Sequence, residues 1–395
     1  MKNKLFRIST VPMSLNYLLK GQLRYLNQYF EVVAVSGNDA HLQEVAQREE
    51  VRVVPLPMER TISPLKDLHA LWQLYCLFRK ERPQIVHSIT PKAGLLSMLA
   101  AKLAGVPIRM HTFTGLIFPS KQGSMQQLLI AMDRLLCWAA THIYPEGYGV
   151  KNDLISYKIT SKPLQVIANG NVNGIDLDYF SLGQVSEADK TFLKQQLGIK
   201  ESDFIFVFVG RLVGDKGINE LVEAFEGLLG IRDKGQVPKV KLLLVGPFEN
   251  ELDPLQTETL NVIETHPNII SVGFQADVRP YFAISDCLVF PSYREGFSNV
   301  VMQAGAMGLP SIVTDINGCN EIIVDGENGI IIPSKNTFAL KYAMEQMMQD
   351  SVLFQKLKQN ARPMIQSRYE QQVVWEALFM EYQTLLQEKG FVRNV

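Results

Sequence analysis

Cysteine is scarce in this sequence. The 395 residues contain four cysteines, Cys76, Cys137, Cys287 and Cys319, which are widely spaced and form no C-x-x-C pair. Small disulfide-stapled folds and cysteine-ligated zinc sites need denser, patterned cysteines. We therefore expect four reduced thiols that serve packing in a cytoplasmic protein.

Long apolar runs are also missing. No run reaches the roughly 18 apolar residues of a membrane-spanning helix. The first residues, MKNKLFRISTVP, lack the apolar core and cleavage site of a secretory signal. The sequence has no D-x-D pair in a suitable loop and no His/Cys ligand cluster. We expect no membrane span, no metal and no other cofactor.

An excess of either charge is absent from the whole chain but not from its halves. The net charge is −1, yet residues 1–178 carry 20 Lys and Arg against 13 Asp and Glu, about +7, which leaves about −8 for the rest. A basic amino-terminal half is consistent with contact to a lipid diphosphate or a membrane surface, or with a scattered, solvated excess.

What is present is an alternation of short apolar runs and amphipathic helices. The apolar share of 47% and the charged share of 20% are typical of a globular protein, and the length suits two domains. Such alternation predicts parallel sheets covered by helices on both faces. In the first half we predict a helix over 15–30 and strands at 5–9, 31–36, 51–54, 84–89, 106–110 and 142–144.

Polar segments follow three of these predicted strands. Ligands bind outside the carboxyl ends of strands in open α/β sheets. Ser9, Thr10, His87, Lys92 and His111 should therefore share one rim. Lys92 could bind an acceptor phosphate or extend to solvent at a helix start. The apolar helix SMQQLLIAMDRLLCWAA, residues 124–140, is either a core helix or a face that rests on a bilayer.

The second half begins with a buried strand over 204–209 that runs into Gly210-Arg211-Leu212-Val213-Gly214-Asp215-Lys216-Gly217. Gly210 lets the backbone approach a ligand, Arg211 can bind an anion with its forked guanidinium, and Lys216 adds a point charge. These features indicate a diphosphate site at the strand end.

A second strand, loop and helix follow at Asp286–Pro310, DCLVFPSYREGFSNVVMQAGAMGLP. The strand 287–290 ends at Pro291, and Ser298 or Asn299 is the expected helix cap. Free backbone N–H groups and the helix dipole make such a helix start suitable for anions. Glu295 and Gln303, eight residues apart, can face the same ligand. From Thr337 we predict helices that break near Pro363 and end with an amphipathic helix.

These segments resemble the retaining GT-B glycosyltransferases of family 4. The stretch 286–310 is similar to the E-x7-E region, with Gln303 where the second Glu is usual. VGRLVGDKGINELVEAF is similar to the G-R-x(4)-K-G segment, and HSITPKAG and HTFTGLIF resemble amino-terminal segments of members from polysaccharide clusters. The resemblance covers essentially the whole chain and is strongest over 204–225 and 270–315.

The resemblance implies roles for individual residues. Glu295 would contact the donor sugar, Arg211 and Lys216 would neutralise its phosphates, and His111 would face the sugar as a fourth catalytic group. Further donor contacts are implied for Gly210, Gly273, Phe274, Phe297, Ser298, Asn299, Val300, Gln303, Thr114 and Gly115. Ser9, Thr10, His87 and Lys92 remain candidates for the acceptor side.

The resemblance also implies an architecture. We predict two Rossmann-like, doubly wound α/β domains facing a central cleft, an acceptor-side domain over 1–178 and a nucleotide-sugar domain over 204–369. The linker would span 179–203, and a helix over about 370–395 would pack back on the first domain.

The implied activity is transfer of a hexosyl or N-acetylhexosaminyl group, with retention, from a nucleotide-diphosphate sugar. UDP-sugars are favoured. The acceptor would be a glycan, lipid-linked, in capsular or surface polysaccharide synthesis at the inner face of the cytoplasmic membrane, with peripheral membrane contact through the first domain. The alternatives are a sugar-nucleotide 2-epimerase of the same fold and a non-catalytic donor-binding subunit. No nucleic-acid partner is expected.

Overall fold

The computed structural model describes residues 2–59, 61–229, 240–249 and 253–391. The chain divides into two compact units, the first comprising Met1–Gly174 with Gln371–Val395 and the second Ile175–Glu370. The stretch 179–203, predicted as a linker, belongs to the second unit. Residues 392–395 of the predicted final helix lie outside the described residues.

The first unit contains a six-stranded parallel sheet. Its strands are β1 (Lys4–Ile8), β2 (Glu31–Ser36), β3 (Arg52–Pro55), β4 (Ile85–Ser88), β5 (Ile108–Phe113) and β6 (His142–Pro145). Their order is β3-β2-β1-β4-β5-β6, so the winding direction reverses between β1 and β4. The carboxyl ends at this switch point are where such sheets bind ligands.

Helices cover both faces of this sheet. They are α1 (Pro12–Leu18), α2 (Gln22–Asn27), α3 (Ala40–Glu49), α4 (Pro64–Glu81), α5 (Pro91–Ala104), α6 (Gly123–Ala139) and α7 (Tyr148–Ser156). Neighbouring strand residues point to opposite faces. Accordingly Phe6 packs in one core cluster with Phe78 and Phe113, and Leu5 packs in the other with Phe30.

The second unit repeats this topology. Its strands are β7 (Phe204–Val209), β8 (Val240–Val245), β9 (Ile269–Ser271), β10 (Cys287–Phe290), β11 (Ser311–Thr314) and β12 (Gly329–Ile332), in the order β12-β11-β10-β7-β8-β9. The switch point lies between β7 and β10, where Leu288 pairs with Val207. The predicted doubly wound α/β fold class is confirmed.

The remaining helices complete the two units. The second unit has α8 (Glu187–Gln196), α9 (Ile218–Leu229), α10 (Thr257–Thr265), α11 (Arg279–Ala283), α12 (Asn299–Ala306), α13 (Cys319–Ile322), α14 (Thr337–Gln349) and α15 (Ser351–Tyr369). The last helix, α16 (Gln371–Glu388), belongs to the first unit and buries one face there through Val374, Leu378, Tyr382, Leu385 and Leu386.

Three predicted boundaries are wrong. The predicted helix over 15–30 is two helices, because Gly21 takes a left-handed φ of 81° before α2. The break predicted near Pro363 is absent, since α15 runs through this exposed proline and the chain breaks at Asp350. Strand β5 ends at Phe113 rather than Met110, so His111 lies within the strand.

None of the helices in the described part of the chain is both long enough and apolar enough to cross a bilayer.

Candidate functional site

The end of β7 leads into a tight, glycine-rich turn. Gly210 has a φ of 152°, and its carbonyl oxygen would lie 1.8 Å from a Cβ added to Gly246 at the end of β8. Only glycine at 246 permits this approach of the two strand ends. A single 3-10 turn, Gly214–Lys216, follows, and α9 begins two residues after it.

The end of β10 leads into the loop 291–298 and α12. Ser298 caps the helix with an extended backbone and without a side-chain cap hydrogen bond. The dipole of α12 favours an anion at this end of the helix. Helix α12 packs closely, since a Cβ at Gly305 would meet Ile365 of α15 at 2.6 Å. Gly305 therefore allows α12 to pack tightly against α15.

Lys216 and Glu295 meet at this switch point. The Lys216 ammonium donates a hydrogen bond to Glu295 Oε1, and the Ser292 hydroxyl donates to the same oxygen at 3.0 Å. Their side chains are 15% and 17% exposed, so solvent reaches the pair but screens it only in part. The predicted cation and the predicted sugar-binding carboxylate are thus in direct contact.

A glycine brings the two loops together. Gly217 has a φ of 71°, and a Cβ there would lie 2.2 Å from the Pro291 carbonyl oxygen. The backbone N–H of Tyr293 also donates to the Asp215 carbonyl at 2.8 Å. These backbone contacts fix Lys216 against the loop that carries Glu295.

Arg211 has a different acidic partner. Its guanidinium donates to Glu249 Oε2 at 2.7 Å, and its side chain is 44% exposed. The two predicted phosphate-binding cations therefore share one loop but each is paired with its own carboxylate. A ligand diphosphate would have to compete with Glu249 and Glu295 for them.

The other predicted donor residues lie around the carboxyl edge of the same sheet. Gly273 has a left-handed φ of 68° and its carbonyl accepts from Gly246 N–H at 2.8 Å. Phe274, next to it, is 72% exposed, which leaves its ring free to stack on a ligand. Phe297 is instead buried against Tyr369. Gln303 and Val300 are half-buried on α12.

A hydrogen-bond network that the sequence pattern did not reveal supports the Glu295 loop. The Tyr293 hydroxyl donates to Glu220 of α9, and Arg294 donates to Asp215 Oδ2 at 2.9 Å. A tyrosine and an arginine inside the loop were the available signal, but their partners lie more than 70 residues away in the chain.

In the first unit, polar groups gather at the switch point between β1 and β4. The hydroxyls of Thr10 and Thr90 are 2.8 Å apart, and Thr114 Oγ1 donates to the Ile89 carbonyl at 2.9 Å. Ser9 is buried and donates to the Val11 carbonyl. Gly115, which follows Thr114, has a φ of 120°, a conformation that favours glycine.

The two histidines lie deeper than predicted. His111 is 1% exposed within β5, with Nδ1 2.8 Å from the Ser88 hydroxyl, and burial lowers its pKa to about 3. His87, also 1% exposed, contacts Thr112, Arg7 and Tyr382, and burial lowers its pKa well below the ordinary value. Both rings are therefore neutral. The two rings are buried because helices cover both faces of the sheet at β4 and β5.

Lys92 also differs from an open phosphate-binding cation. Its ammonium is 2.7 Å from Asp67 of α4 and donates to the Thr61 carbonyl, with 10% of the side chain exposed. Lys92 is thus held in a partly buried ion pair and does not extend to solvent. Its pairing with an acceptor phosphate stays a prediction.

A further acid was missed altogether. Asp133, the only carboxylate in the apolar helix α6, lines a cavity of about 360 Å³ with Thr10, Thr90 and Lys92. Burial raises its pKa to about 7. A lone carboxylate in an apolar helix was the signal that could have identified it.

Among the described residues, no three His, Cys, Asp or Glu side chains come together in a group able to hold a metal ion. The expectation that no metal or other cofactor takes part remains a prediction.

Comparison with known proteins places this site in a family. A model of the glycosyl transferases group 1 family matches residues 189–364, and a model of the glycosyl transferase 4-like domain matches residues 23–170. The first match contains Arg211, Lys216 and Glu295.

Curated relatives match over most of the chain. The Staphylococcus aureus capsular polysaccharide biosynthesis glycosyltransferase CapM is 31% identical over 390 residues, which are 98% of this chain and 99% of CapM. An Escherichia coli protein named UDP-Gal:alpha-D-GlcNAc-diphosphoundecaprenol alpha-1,3-galactosyltransferase is 28% identical over 331 residues, 83% of this chain and 82% of that protein.

Solved structures share the fold. Anabaena HepE in complex with UDP-glucose matches with a TM-score of 0.79 at 17% identity, over 96% of this chain and 99% of that chain. The resemblance stated from the sequence is confirmed: this chain belongs to the glycosyl transferases group 1 family and has the GT-B fold.

Proposed function

We propose that this glycosyltransferase moves a hexosyl or N-acetylhexosaminyl group, with retention, from a UDP-sugar to a lipid-linked glycan during synthesis of a capsular or surface polysaccharide. The observation that carries the proposal is the contact of Lys216 with Glu295 at the switch point beside the start of α12. A cation, a carboxylate and the positive end of a helix dipole at one place match the parts of a sugar diphosphate.

In this proposal the donor diphosphate replaces Glu295 as the partner of Lys216. The doubly charged diphosphate is the stronger anion, and the α12 N–H groups add to its binding. Glu295, released from the ammonium, then accepts hydrogen bonds from hydroxyls of the donor sugar. Arg211 changes from Glu249 to the phosphates in the same way.

The chemical step breaks the bond between the anomeric carbon and the diphosphate oxygen, and the electron pair goes to that oxygen. The acceptor hydroxyl oxygen forms the new bond from the same face and loses its proton, for which a departing phosphate oxygen is the nearest base. Lys216 and Arg211 stabilise the negative charge that grows on the diphosphate, a preorganised electrostatic contribution. His111 is neutral and 1% exposed within β5, so it does not act as an acid.

The relatives' names support the choice of substrates. CapM is named for capsular polysaccharide biosynthesis, and the E. coli relative for a UDP-Gal donor and a diphosphoundecaprenol-linked acceptor. HepE, of the same fold, was solved with UDP-glucose. We extend UDP and a lipid-linked acceptor to this chain as part of the proposal.

We further propose that the first unit rests on the inner face of the cytoplasmic membrane. Exposed apolar side chains lie along α4 and α6: Leu65, Leu68, Trp72, Met125, Leu128, Leu135 and Trp138. Lys102 lies over the Trp138 ring at 3.4 Å. Lys121, just before α6, and Arg134, within it, are exposed. Apolar and cationic groups together suit an anionic lipid surface.

The test begins with a thermal-shift screen of UDP- and GDP-sugars, because a ligand that binds the native state raises the melting temperature. Nucleotide release is then measured with and without a diphosphoundecaprenol-linked sugar. We expect UDP-sugars to stabilise the protein and UDP release to require the acceptor. Lys216→Ala and Arg211→Ala should each lower the transfer rate at least 100-fold, whereas Lys341→Ala, on α14, should not.

Other outcomes would contradict the proposal. A UDP-sugar converted to its 2-epimer without acceptor would identify an epimerase, and saturable donor binding without turnover would identify a donor-binding subunit. Normal transfer by either cation variant would remove that residue from the mechanism.

A further inference from the structure

The cavity beside Asp133 lies at the ligand-binding edge of the first sheet. It is lined by residues that follow β1 and β4 and by α6, and its volume is about 360 Å³. At roughly 30 Å³ for each water-sized group, this space holds about a dozen non-hydrogen atoms. It is therefore large enough for a substrate fragment and not merely for water.

The walls of this cavity are apolar. Most of the lining consists of aliphatic and thioether side chains from five segments of the first unit: Val11, Ile62, Leu95, Ile117, Leu129 and Met132. A sugar of this size would bury several hydroxyls here without partners, at a cost in free energy for each. A hydrocarbon chain of about ten carbons fits both the volume and the lining.

The polar groups of the lining are mostly satisfied already. Thr10 and Thr90 bond each other, and Thr10 Oγ1 also accepts from Ala93 N–H at 3.2 Å. Lys92 is paired with Asp67. For Asp133, by contrast, the structure gives no hydrogen bond or ion pair with any described residue. The half-buried carboxyl of Asp133 can thus hydrogen-bond one oxygen of a ligand.

The mouth of the cavity continues into the exposed apolar surface. Ile62 and Ile117 line the cavity and are still 49% and 47% exposed. Leu65 and Leu128, on α4 and α6, are exposed near them in the chain. The exposed apolar side chains at the cavity therefore give a hydrocarbon chain an apolar surface to enter along.

We propose that this cavity binds the hydrocarbon chain of the lipid acceptor next to its first oxygen, and that Asp133 hydrogen-bonds this oxygen. The proposal rests on the lipid-linked acceptor of the proposed function. It makes Asp133 a specificity-determining residue and explains why a soluble glycan would be a poor acceptor.

The test uses geraniol, a ten-carbon isoprenoid alcohol, and inorganic phosphate as the charge control. On the wild-type protein labelled with ¹³C at its methionine methyl groups, geraniol should shift the Met132 resonance saturably. Met125 lies on the same helix, is 48% exposed and does not line the cavity, so its resonance should stay in place. Phosphate should shift neither resonance.

Four substitutions test whether geraniol binds in this cavity. Leu129→Trp, which fills the cavity, should weaken geraniol binding more than tenfold, and its neighbour Leu128→Trp, on the exposed face, should not. Asp133→Leu should weaken binding about tenfold, and Asp133→Asn should restore most of it, since an amide also bonds a hydroxyl.

Equal shifts of Met125 and Met132, or no saturable shift of Met132, would overturn the cavity assignment. The proposed transfer is tested separately by acceptor-dependent UDP release and by UDP binding to the second unit. If UDP release or UDP binding failed to appear, the expected methionine shifts with geraniol would be unaffected. The two proposals can therefore fail independently.

Discussion

Glu295 and Lys216 are 79 residues apart in sequence and form one ion pair. In the proposed mechanism the Glu295 carboxylate keeps the Lys216 ammonium in place until the donor diphosphate replaces it. The pair thus links two properties that are usually measured separately, the affinity for the nucleotide and the rate of transfer.

We predict that Glu295→Gln separates these properties. Removing the negative charge frees Lys216 for the diphosphate, so the Kd for UDP should fall by up to about tenfold, while kcat should fall at least 100-fold because the sugar loses its carboxylate. Isothermal titration with UDP and initial rates measure both. Glu327→Gln, in an exposed pair with Lys356, is the control. Weaker UDP binding by the variant would contradict the exchange of partners.

A second single residue, Asp133, makes the free energy of unfolding depend on pH. Burial raises its pKa to about 7, so between about pH 4 and pH 7 the native state holds a proton that the unfolded state has released. The free energy of unfolding must therefore fall as the pH rises through this window. Asp133→Asn lacks the penalty, and its advantage should grow from near zero at pH 4 to about 1–3 kcal/mol at pH 8.

Urea unfolding of both proteins at the two pH values measures this difference. Asp178→Asn, at an exposed position, should show no such trend. An advantage of Asp133→Asn that is equal at pH 4 and pH 8 would show that the carboxyl is not held protonated.

At the scale of elements, the loop between β10 and α12 is held by groups outside it. The Tyr293 hydroxyl bonds Glu220 of α9, and the ammonium of Lys335 lies 4.7 Å from the centroid of the Tyr293 ring. These contacts position the loop without reaching the substrate.

We predict that Tyr293→Phe lowers kcat about 3- to 10-fold through a looser Glu295 loop, with little change in the acceptor KM and in the melting temperature. Steady-state rates and thermal unfolding separate these effects. Tyr342→Phe, on the exposed side of α14, is the matched control. An unchanged kcat would show that the loop holds its place without this hydrogen bond.

Several elements followed directly from local sequence. The strands predicted over 204–209 and 287–290 have those bounds in the structure, because each is a short buried apolar run bounded by polar residues, glycine or proline. The helix break predicted near Pro363 is wrong, although proline usually interrupts a helix. Helix α15 continues through Pro363 because it packs on α12 and α14. Tertiary contacts outweighed the local preference.

At the scale of the whole molecule, the last helix belongs to the same unit as the first strand. Helix α16 packs in the first unit, where the buried guanidinium of Arg7 donates to the Tyr382 hydroxyl at 2.7 Å. The same hydroxyl lies 2.6 Å from His87 Nδ1. The described partners of Arg7 include no carboxylate, so its charge depends on these neutral acceptors and on Gln22.

We predict that Tyr382→Phe lowers the free energy of unfolding by about 1–3 kcal/mol, since Arg7 loses an acceptor that no water replaces. Chemical denaturation measures the change, and Tyr29→Phe, at a 43% exposed ring, is the control. A loss below about 0.5 kcal/mol, the usual size for surface substitutions, would mean that Arg7 finds another acceptor.

By itself, the sequence determined the repeated β-α pattern, the glycines at the strand ends and the residue types of the site, because these depend on neighbours within a few positions. Only the tertiary structure decided that Lys216 pairs with Glu295 and Arg211 with Glu249, that His111 is buried, and that Asp133 faces a cavity. Electrostatic pairing and burial depend on distances in space, and crossover connections make neighbours of strands such as β7 and β10 that are far apart in the chain.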